Sequence, residues 1–157
     1  MDDQEIETQA AGILAEAADD EAALAAVVAL VHGARPEWDW VGLYLLAGEE
    51  LVLGPYVGEP TDHVRIPVGR GVCGTAVATG ENQVVADVGE LDNYLACSTS
   101  TRSEIVVLIR HEGEIVGQFD VDSDTPGAFG PDDEALLMGL AELAAARCAT
   151  LARATAG

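Results

Sequence analysis

Lysine is absent from this sequence, and basic residues of any kind are few. Seven arginines stand against 28 aspartates and glutamates, so the formal net charge is -21 at pH 7. Nucleic acids and anionic membrane surfaces are bound through clustered lysine and arginine. We therefore expect no nucleic acid and no membrane as a partner. The acid excess indicates a solvated acidic surface, and together with the missing lysine it suggests adaptation to a salty cytoplasm.

A signal peptide and a long apolar run are also missing. The N-terminus, Met-Asp-Asp-Gln-Glu, has neither a basic region nor an apolar core. No apolar run approaches the roughly 18 residues that span a bilayer. We therefore expect a cytoplasmic protein. In a reducing compartment its three cysteines do not suit a structural disulfide framework, and they are expected to be unbridged, catalytic or metal-bound.

The spacing of apolar residues predicts helices at both ends of the chain and strands between them. Apolar positions recur at helical spacing over about residues 4–33, where Asp20 is expected to cap a second helix. They recur again over about 131–153, where Leu143 falls on the apolar stripe. Short strands joined by turns fill about 38–123. A length of 157 residues suits one domain, and the pattern predicts an α+β domain with an antiparallel sheet.

The first predicted hairpin sets two aromatic side chains on one face. The two-residue period of the strand Trp40–Leu46 places Trp40, Gly42 and Tyr44 on the same side. A tryptophan and a tyrosine on one strand face are typical of a packed core. On the other interpretation, the small Gly42 leaves a gap between the two rings in which a small ligand can lie.

The three cysteines lie in different kinds of segment. Cys73 follows a Gly-rich turn and begins a short helix predicted over Val72–Thr79, where the helix dipole and the unpaired N–H groups favour a thiolate. A buried small residue in a tight turn is the alternative. Cys97 lies among small and hydroxyl residues without a regular period. Cys148 falls within the pattern of the last helix and is expected to pack there.

Two aspartates share one face of a later strand. Asp120 and Asp122 are two residues apart within Gln118–Asp122, although aspartate is a poor strand former. Their repulsion is expected to raise the pKa of one of them, and a raised carboxyl pKa is what a general acid requires. Glu104 begins the partner strand and can join them. The alternative interpretation is an exposed acidic edge.

Six segments form an ordered series along the chain. They are Trp40–Leu46, Leu51–Pro55, the stretch VRIPVGRGVCGTAVATGE from Val64, Leu95–Cys97, Ser103–Val106 and Asp120–Ser123. This series resembles the free methionine-(R)-sulfoxide reductases, which are small GAF-domain proteins. The resemblance spans roughly Trp38 to the C-terminus, and the ordered series is far more specific than any one of its motifs.

The resemblance implies a fold and a set of site residues. The fold is the GAF fold, a central antiparallel sheet of about six strands with the N- and C-terminal helices packed on one side, and residues 1–157 are expected to form a single GAF domain. Cys97 matches the catalytic cysteine, and Cys73 matches the cysteine of the Gly-rich turn that takes part in recycling. The acids that match those holding the substrate amino group and helping to protonate the sulfoxide are Glu104, Asp120 and Asp122. The aromatics that match those around the thioether end are Trp40 and Tyr44.

One position departs from the family pattern. Relatives commonly carry a resolving cysteine immediately before the VRIP segment, where this chain has His63. Histidine cannot form a disulfide, so Cys73 resolves Cys97, an external thiol does so, or the protein has lost turnover and only binds a ligand. A zinc site of His63, Cys73 and Cys97 is disfavoured because no tight ligand spacing supports it, and no metal is expected.

The resemblance implies reduction of free L-methionine (R)-S-oxide to L-methionine. The Cys97 thiolate attacks sulfur, an acid such as Glu104 or Asp122 protonates the oxygen, and a sulfenic acid forms. The expected reductant is an external thioredoxin-type dithiol, with no bound cofactor. Apolar stripes on the terminal helices favour a homodimer. The alternative function is a GAF module that binds a small ligand without turnover; a cyclic-nucleotide sensor is weaker, since phosphate favours basic residues.

Overall fold

The computed structural model describes residues 1–91 and 100–156. Its strands are β1 (Trp40–Ala47), β2 (Glu50–Val57), β3 (Arg65–Pro67), β4 (Gln83–Val85), β5 (Ser103–His111) and β6 (Glu114–Ser123). Its helices are α1 (Asp3–Glu16), α2 (Asp20–Ala34), α3 (Gly71–Thr79) and α4 (Pro131–Ala156), and a 3₁₀ turn spans Val88–Glu90. The six strands form one antiparallel sheet in the order β3-β2-β1-β6-β5-β4. The predicted α+β class and sheet are confirmed.

The terminal helices α1, α2 and α4 pack together on one face of the sheet, as predicted. Their apolar stripes meet the side chains that alternate towards them from the central strands. The largest fully buried members of this helix-side core are Ile6, Leu24, Trp38, Leu43, Ile105, Ile109, Phe119, Leu136 and Leu137. The stripes of the terminal helices are therefore used within the chain itself.

The opposite face of the sheet carries a smaller core under α3. This second core joins Trp40, Tyr44, Leu51 and Val106 from the strands to Val72, Cys73 and Ala76 from the helix. Because α3 has only 9 residues, it covers this face incompletely. The sheet therefore has one fully covered face and one face where a cavity can open.

Two details of the terminal helices differ from the sequence-based expectation. Asp19, and not Asp20, caps α2, because its side chain accepts a hydrogen bond from the Ala22 N–H at 2.9 Å. The Asp20 carboxylate instead accepts from Arg147 Nη1 at 2.9 Å, which ties α2 to α4. Leu143, expected on the apolar stripe of α4, is 42% exposed. The neighbouring elements cover a narrower arc of α4 than its apolar pattern suggests.

By length and composition α4 is apolar enough to cross a membrane. Half of its most apolar window is buried inside the protein, where it contacts β1, β5 and β6 as well as α1 and α2. Glu142 and Arg147 also interrupt the apolar run. The helix is packed like the core helix of a soluble protein.

Candidate active site

Three buried acids meet on the face of the sheet that α3 covers. Glu104 of β5 lies directly opposite Asp122 of β6, and Asp120 is two residues away along β6. Phe119 and Val121 enter the helix-side core, so alternation directs both aspartates to the α3 face. Glu104, Asp120 and Asp122, here called the acid row, are 1%, 0% and 1% exposed. The alternative of an exposed acidic edge is therefore wrong.

The acid row raises the pKa of one of its own members. Burial lifts the pKa of Glu104 well above its usual 4.5, and the negative charges of Asp120 and Asp122, with hydrogen bonds to both, lift it further. The sequence predicted a raised pKa for one of the two aspartates. The structure shows a raised pKa for Glu104, which lies across the strand pair from Asp122. Glu104 therefore keeps its proton to higher pH than an exposed glutamate, which suits proton donation.

Helix α3 brings Cys73 to the acid row. The chain enters the helix through Gly69 and Gly71, whose φ angles of 96° and 65° favour glycine. Cys73 lies in the first turn, is 5% exposed, and its thiol donates to Glu104 Oε2 at 3.8 Å. Cys73 is therefore a buried residue in a tight turn, as the alternative interpretation held, and its thiol also contacts a carboxyl group.

Trp40 and Tyr44 form an aromatic wall beside the acid row. Trp40 pairs with Asp122 in the β1–β6 register, and the centroids of the two aromatic rings are 6.5 Å apart. The Trp40 Nε1–H donates to the Glu59 carbonyl at 3.0 Å, and the Tyr44 hydroxyl donates to the His63 carbonyl at 2.8 Å. The aromatic wall thus ties the segment that carries His63 to the site.

The predicted gap between the two rings is filled. A Cβ atom at Gly42 would lie 2.4 Å from Cη2 of Trp40, because the indole lies over this glycine. Tyr56, opposite Gly42 in the β1–β2 register, stacks on the same indole at 5.4 Å. The expectation of a ligand between Trp40 and Tyr44 is therefore wrong, and a ligand has to lie beside the wall. Sequence reasoning missed Tyr56, because a register shift between Gly42 and Tyr44 sets it opposite this glycine.

We predict that Gly42→Ala destabilises the protein by about 1–3 kcal/mol, the usual cost of overpacking a core. The added methyl group has to displace the indole of Trp40. Urea unfolding and tryptophan emission measure the effect. Gly12→Ala in α1 is the matched control, because nothing lies within 4 Å of its Cβ position and alanine favours a helix. Equal stability and unchanged emission in Gly42→Ala would show that the indole does not pack on this glycine.

A cavity of about 260 Å³ opens beside the acid row. Its lining joins Trp40 and Asp122 to Glu59, Ser100 and Thr101. Ligand sites are typically concave and combine aromatic surface with a few polar groups. A larger cavity of about 370 Å³ lies at the far end of the sheet and contains none of the predicted site residues. The smaller cavity is therefore the candidate substrate site.

The predicted catalytic residue Cys97, with the motif Leu95–Cys97, lies outside the described residues. The described chain on either side converges near the site. The Val88 N–H donates to the Arg102 carbonyl at 2.8 Å, and Ser100 lines the cavity. The described residues that flank this segment therefore lie near the acid row.

The third cysteine lies on the other side of the sheet. Cys148 of α4 is buried in the helix-side core, whereas Cys73 belongs to the core under α3. Burial, and to a smaller extent the charge of Asp20, raises the pKa of the Cys148 thiol to about 12. Its expected packing role is consistent with this position.

Comparisons with known proteins agree with the geometry. Residues 13–148 match the GAF domain family. The chain is 44% identical over 124 residues to the free methionine-R-sulfoxide reductase of Escherichia coli, covering 79% of this chain and 73% of that protein. The free methionine-R-sulfoxide reductase of Neisseria meningitidis, solved in complex with its substrate, superposes with a TM-score of 0.88 at 37% identity, over 98% and 91% of the two chains. The type II enzyme of Thermoplasma acidophilum gives 0.80 at 41% identity, over 82% and 92%.

Proposed function

The chain belongs to the free methionine-(R)-sulfoxide reductases, a GAF-domain family, and reduces free methionine (R)-sulfoxide to methionine; we propose that it does so at the cavity beside the acid row. The observation that carries this assignment of the site is the meeting of three buried acids, Glu104, Asp120 and Asp122, with the Cys73 thiol. A soluble domain of this size acts on a small substrate without a nucleic acid or membrane partner.

We propose that the acid row binds the substrate amino group and protonates the sulfoxide. Buried carboxylates need a positive partner, and the ammonium group of a free amino acid supplies one. Asp120 and Asp122 are suited to hold it. Glu104, whose pKa is raised, is suited to give its proton to the sulfoxide oxygen. The aromatic wall of Trp40 and Tyr44 offers apolar surface to the thioether end.

In the proposed reduction, the Cys97 thiolate attacks the sulfur of the sulfoxide. The S–O bond of the substrate breaks, methionine leaves, and the oxygen ends on Cys97 as a sulfenic acid. Sulfur of the substrate is reduced and sulfur of Cys97 is oxidised by the same two electrons. Glu104 supplies the one proton that the sulfenic acid gains. Solvent then reprotonates Glu104 and restores the starting state of the acid row.

We propose that Cys73 resolves the sulfenic acid. Its thiol displaces the oxygen as water and forms a Cys73–Cys97 disulfide, which a thioredoxin-type dithiol then reduces. His63 stands at the position of the usual resolving cysteine and cannot do this. Cys148 is separated from the site by the sheet and its thiolate is disfavoured. An external thiol that attacks Cys97 directly is the remaining alternative.

We predict that Cys73→Ser releases one equivalent of methionine and then stalls. Without reductant, the parent protein should yield a Cys73–Cys97 disulfide, which requires the two Cα atoms to come within about 7 Å. The stalled variant should carry a sulfenic acid that dimedone traps. Peptide mapping by mass spectrometry measures both products. Recovery of reduced Cys73 and Cys97 after turnover, or of Cys148 in the bridge, would assign the resolving role elsewhere.

The assay that tests the function measures methionine formed from the free sulfoxide with dithiothreitol as reductant. We expect the (R)-epimer of the free amino acid to react, and the (S)-epimer and a peptide-bound sulfoxide to remain unchanged. A GAF module that binds a ligand without turnover is the second candidate. That module would bind the free sulfoxide in calorimetry while producing no methionine.

We also propose a cytoplasmic homodimer without a bound cofactor. The stripes of the terminal helices are used within the chain, so the apolar surface for a second copy has to come from side chains such as Met138 and Leu143, which are 49% and 42% exposed on α4. Light scattering gives the mass in solution. The charge of -21 supports adaptation to a salty cytoplasm, since salt screens repulsion between like charges.

A further inference from the structure

A thiol and two carboxyl groups converge under the N-terminus of α3. Sγ of Cys73 and one oxygen each of Glu104 and Asp120 all lie within 4.8 Å of one another, and all three residues are buried. They come from α3, β5 and β6 and are far apart in sequence. Helix packing and strand pairing bring them together, so the sequence contains no closely spaced ligand motif that would predict this cluster.

The spacing of these atoms suits a tetrahedral metal ion. With a Zn–S bond of about 2.3 Å and a Zn–O bond of about 2.0 Å, the two ligand atoms are about 3.5 Å apart. Cys73 Sγ and Glu104 Oε2 are separated by 3.8 Å, so little movement is needed. One sulfur and two oxygens favour Zn²⁺ or Cd²⁺, whereas Mg²⁺ and Ca²⁺ prefer oxygen alone.

Glu104 supplies a second, independent indication of a missing ligand. Its Oε1 atom is buried and has no hydrogen-bond partner among residues 1–91 and 100–156. The residue is only 1% exposed, so bulk water does not reach this oxygen. Buried polar atoms are normally satisfied. A cation bound at Oε2 carries water at its remaining position, and that water can donate a hydrogen bond to Oε1.

We propose that Cys73, Glu104 and Asp120 form a site for a zinc-class divalent cation, which reversibly inhibits the enzyme. Binding forms bonds from the metal to one sulfur and two oxygens, the protons of the Cys73 thiol and of the Glu104 carboxyl group pass to solvent, and no atom changes oxidation state. Three protein ligands leave the fourth position to water. Inhibition follows from the proposed function, because the ion holds the resolving thiol and occupies the acid row.

The binding half of the proposal is tested by titrating the reduced protein with Cd²⁺ in the absence of substrate. Ultraviolet sulfur-to-metal charge transfer reports only thiolate-bound metal, and high salt suppresses binding to the acidic surface. We expect one equivalent to saturate the band. Cys73→Ser should lose it, and Asp120→Asn should weaken binding at least tenfold, since even outer partners of a ligand are worth about 10–100-fold.

Two further variants serve as matched controls. Cys97→Ser and Cys148→Ala should keep the charge-transfer band, and circular dichroism should show that all variants are folded. A band that survives in Cys73→Ser, or that disappears in Cys97→Ser, overturns the assignment of the ligands. These outcomes are independent of catalysis, so failure of the metal site leaves the proposed function standing.

The inhibition half is tested by competition. Free methionine sulfoxide should raise the apparent dissociation constant for Cd²⁺, and Zn²⁺ should lower turnover until a chelator restores it. Full activity in an enzyme whose band shows saturation with Cd²⁺ would overturn inhibition while leaving the metal site intact. Absence of turnover in the metal-free protein would instead contradict the proposed function.

Discussion

Cys97→Ser is expected to reduce sulfoxide turnover by at least about 10³-fold, on the scale seen when a nucleophile is removed. Serine keeps the size of the side chain, but its hydroxyl stays protonated at neutral pH and cannot take the oxygen atom as a sulfenic acid. Methionine release from the free (R)-sulfoxide with dithiothreitol measures the loss. The fold should be intact, since serine is close to cysteine in size.

The matched control for this variant is Cys148→Ala. Cys148 is buried on the helix side of the sheet and its thiolate is disfavoured, so activity should be retained. Stability should fall slightly because a small cavity is left. Turnover within a few-fold of the parent in Cys97→Ser would contradict the mechanism. An inactive Cys148→Ala with an intact fold would place the reaction on the helix side of the sheet, which also contradicts the proposed site.

Glu104→Gln and Asp122→Asn are each expected to lower turnover by about 10²-fold or more, the scale of general acid catalysis. An amide preserves the shape but cannot give up an acidic proton or balance the substrate ammonium. Glu114→Gln, at the exposed start of β6, is the control and should keep full activity. If both acid-row variants are as active as this control, the acids have no part in the reaction.

The raised pKa of Glu104 predicts that Glu104→Gln, which lowers turnover, raises the stability of the fold. Because the folded pKa lies above the unfolded one, folding favours the protonated form, and stability falls as pH rises from about 4.5 towards the folded pKa. Glu104→Gln removes this loss. The variant should therefore be more stable than the parent in urea unfolding at neutral pH, and the difference should shrink below about pH 4.5. A difference in stability that is the same at both pH values would show that the carboxyl group is not held protonated.

Local signals in the sequence predicted much of the fold. Pro131 and the acids after it marked the start of α4, and Gly80 marked the end of α3, where it takes the left-handed conformation. Strand alternation placed Asp120 and Asp122 on one face. Each signal acts within a few residues, so it can be read from the chain. The cap of α2 was predicted at Asp20 and lies at Asp19. This one-residue error reflects the same limit, because two adjacent aspartates offer equivalent local chemistry.

What the sequence by itself determined is therefore the type of the main helices and strands, the shared face of Asp120 and Asp122 and, through the resemblance, the family. Only the tertiary structure decided that the acids are buried, that Glu104 faces Asp122, that Cys73 reaches Glu104, and that the Trp40 indole closes over Gly42. These features depend on strand order and on which helix covers which face. Local propensity does not encode such long-range pairing, because burial and the pKa shift it causes arise only when distant segments exclude water together.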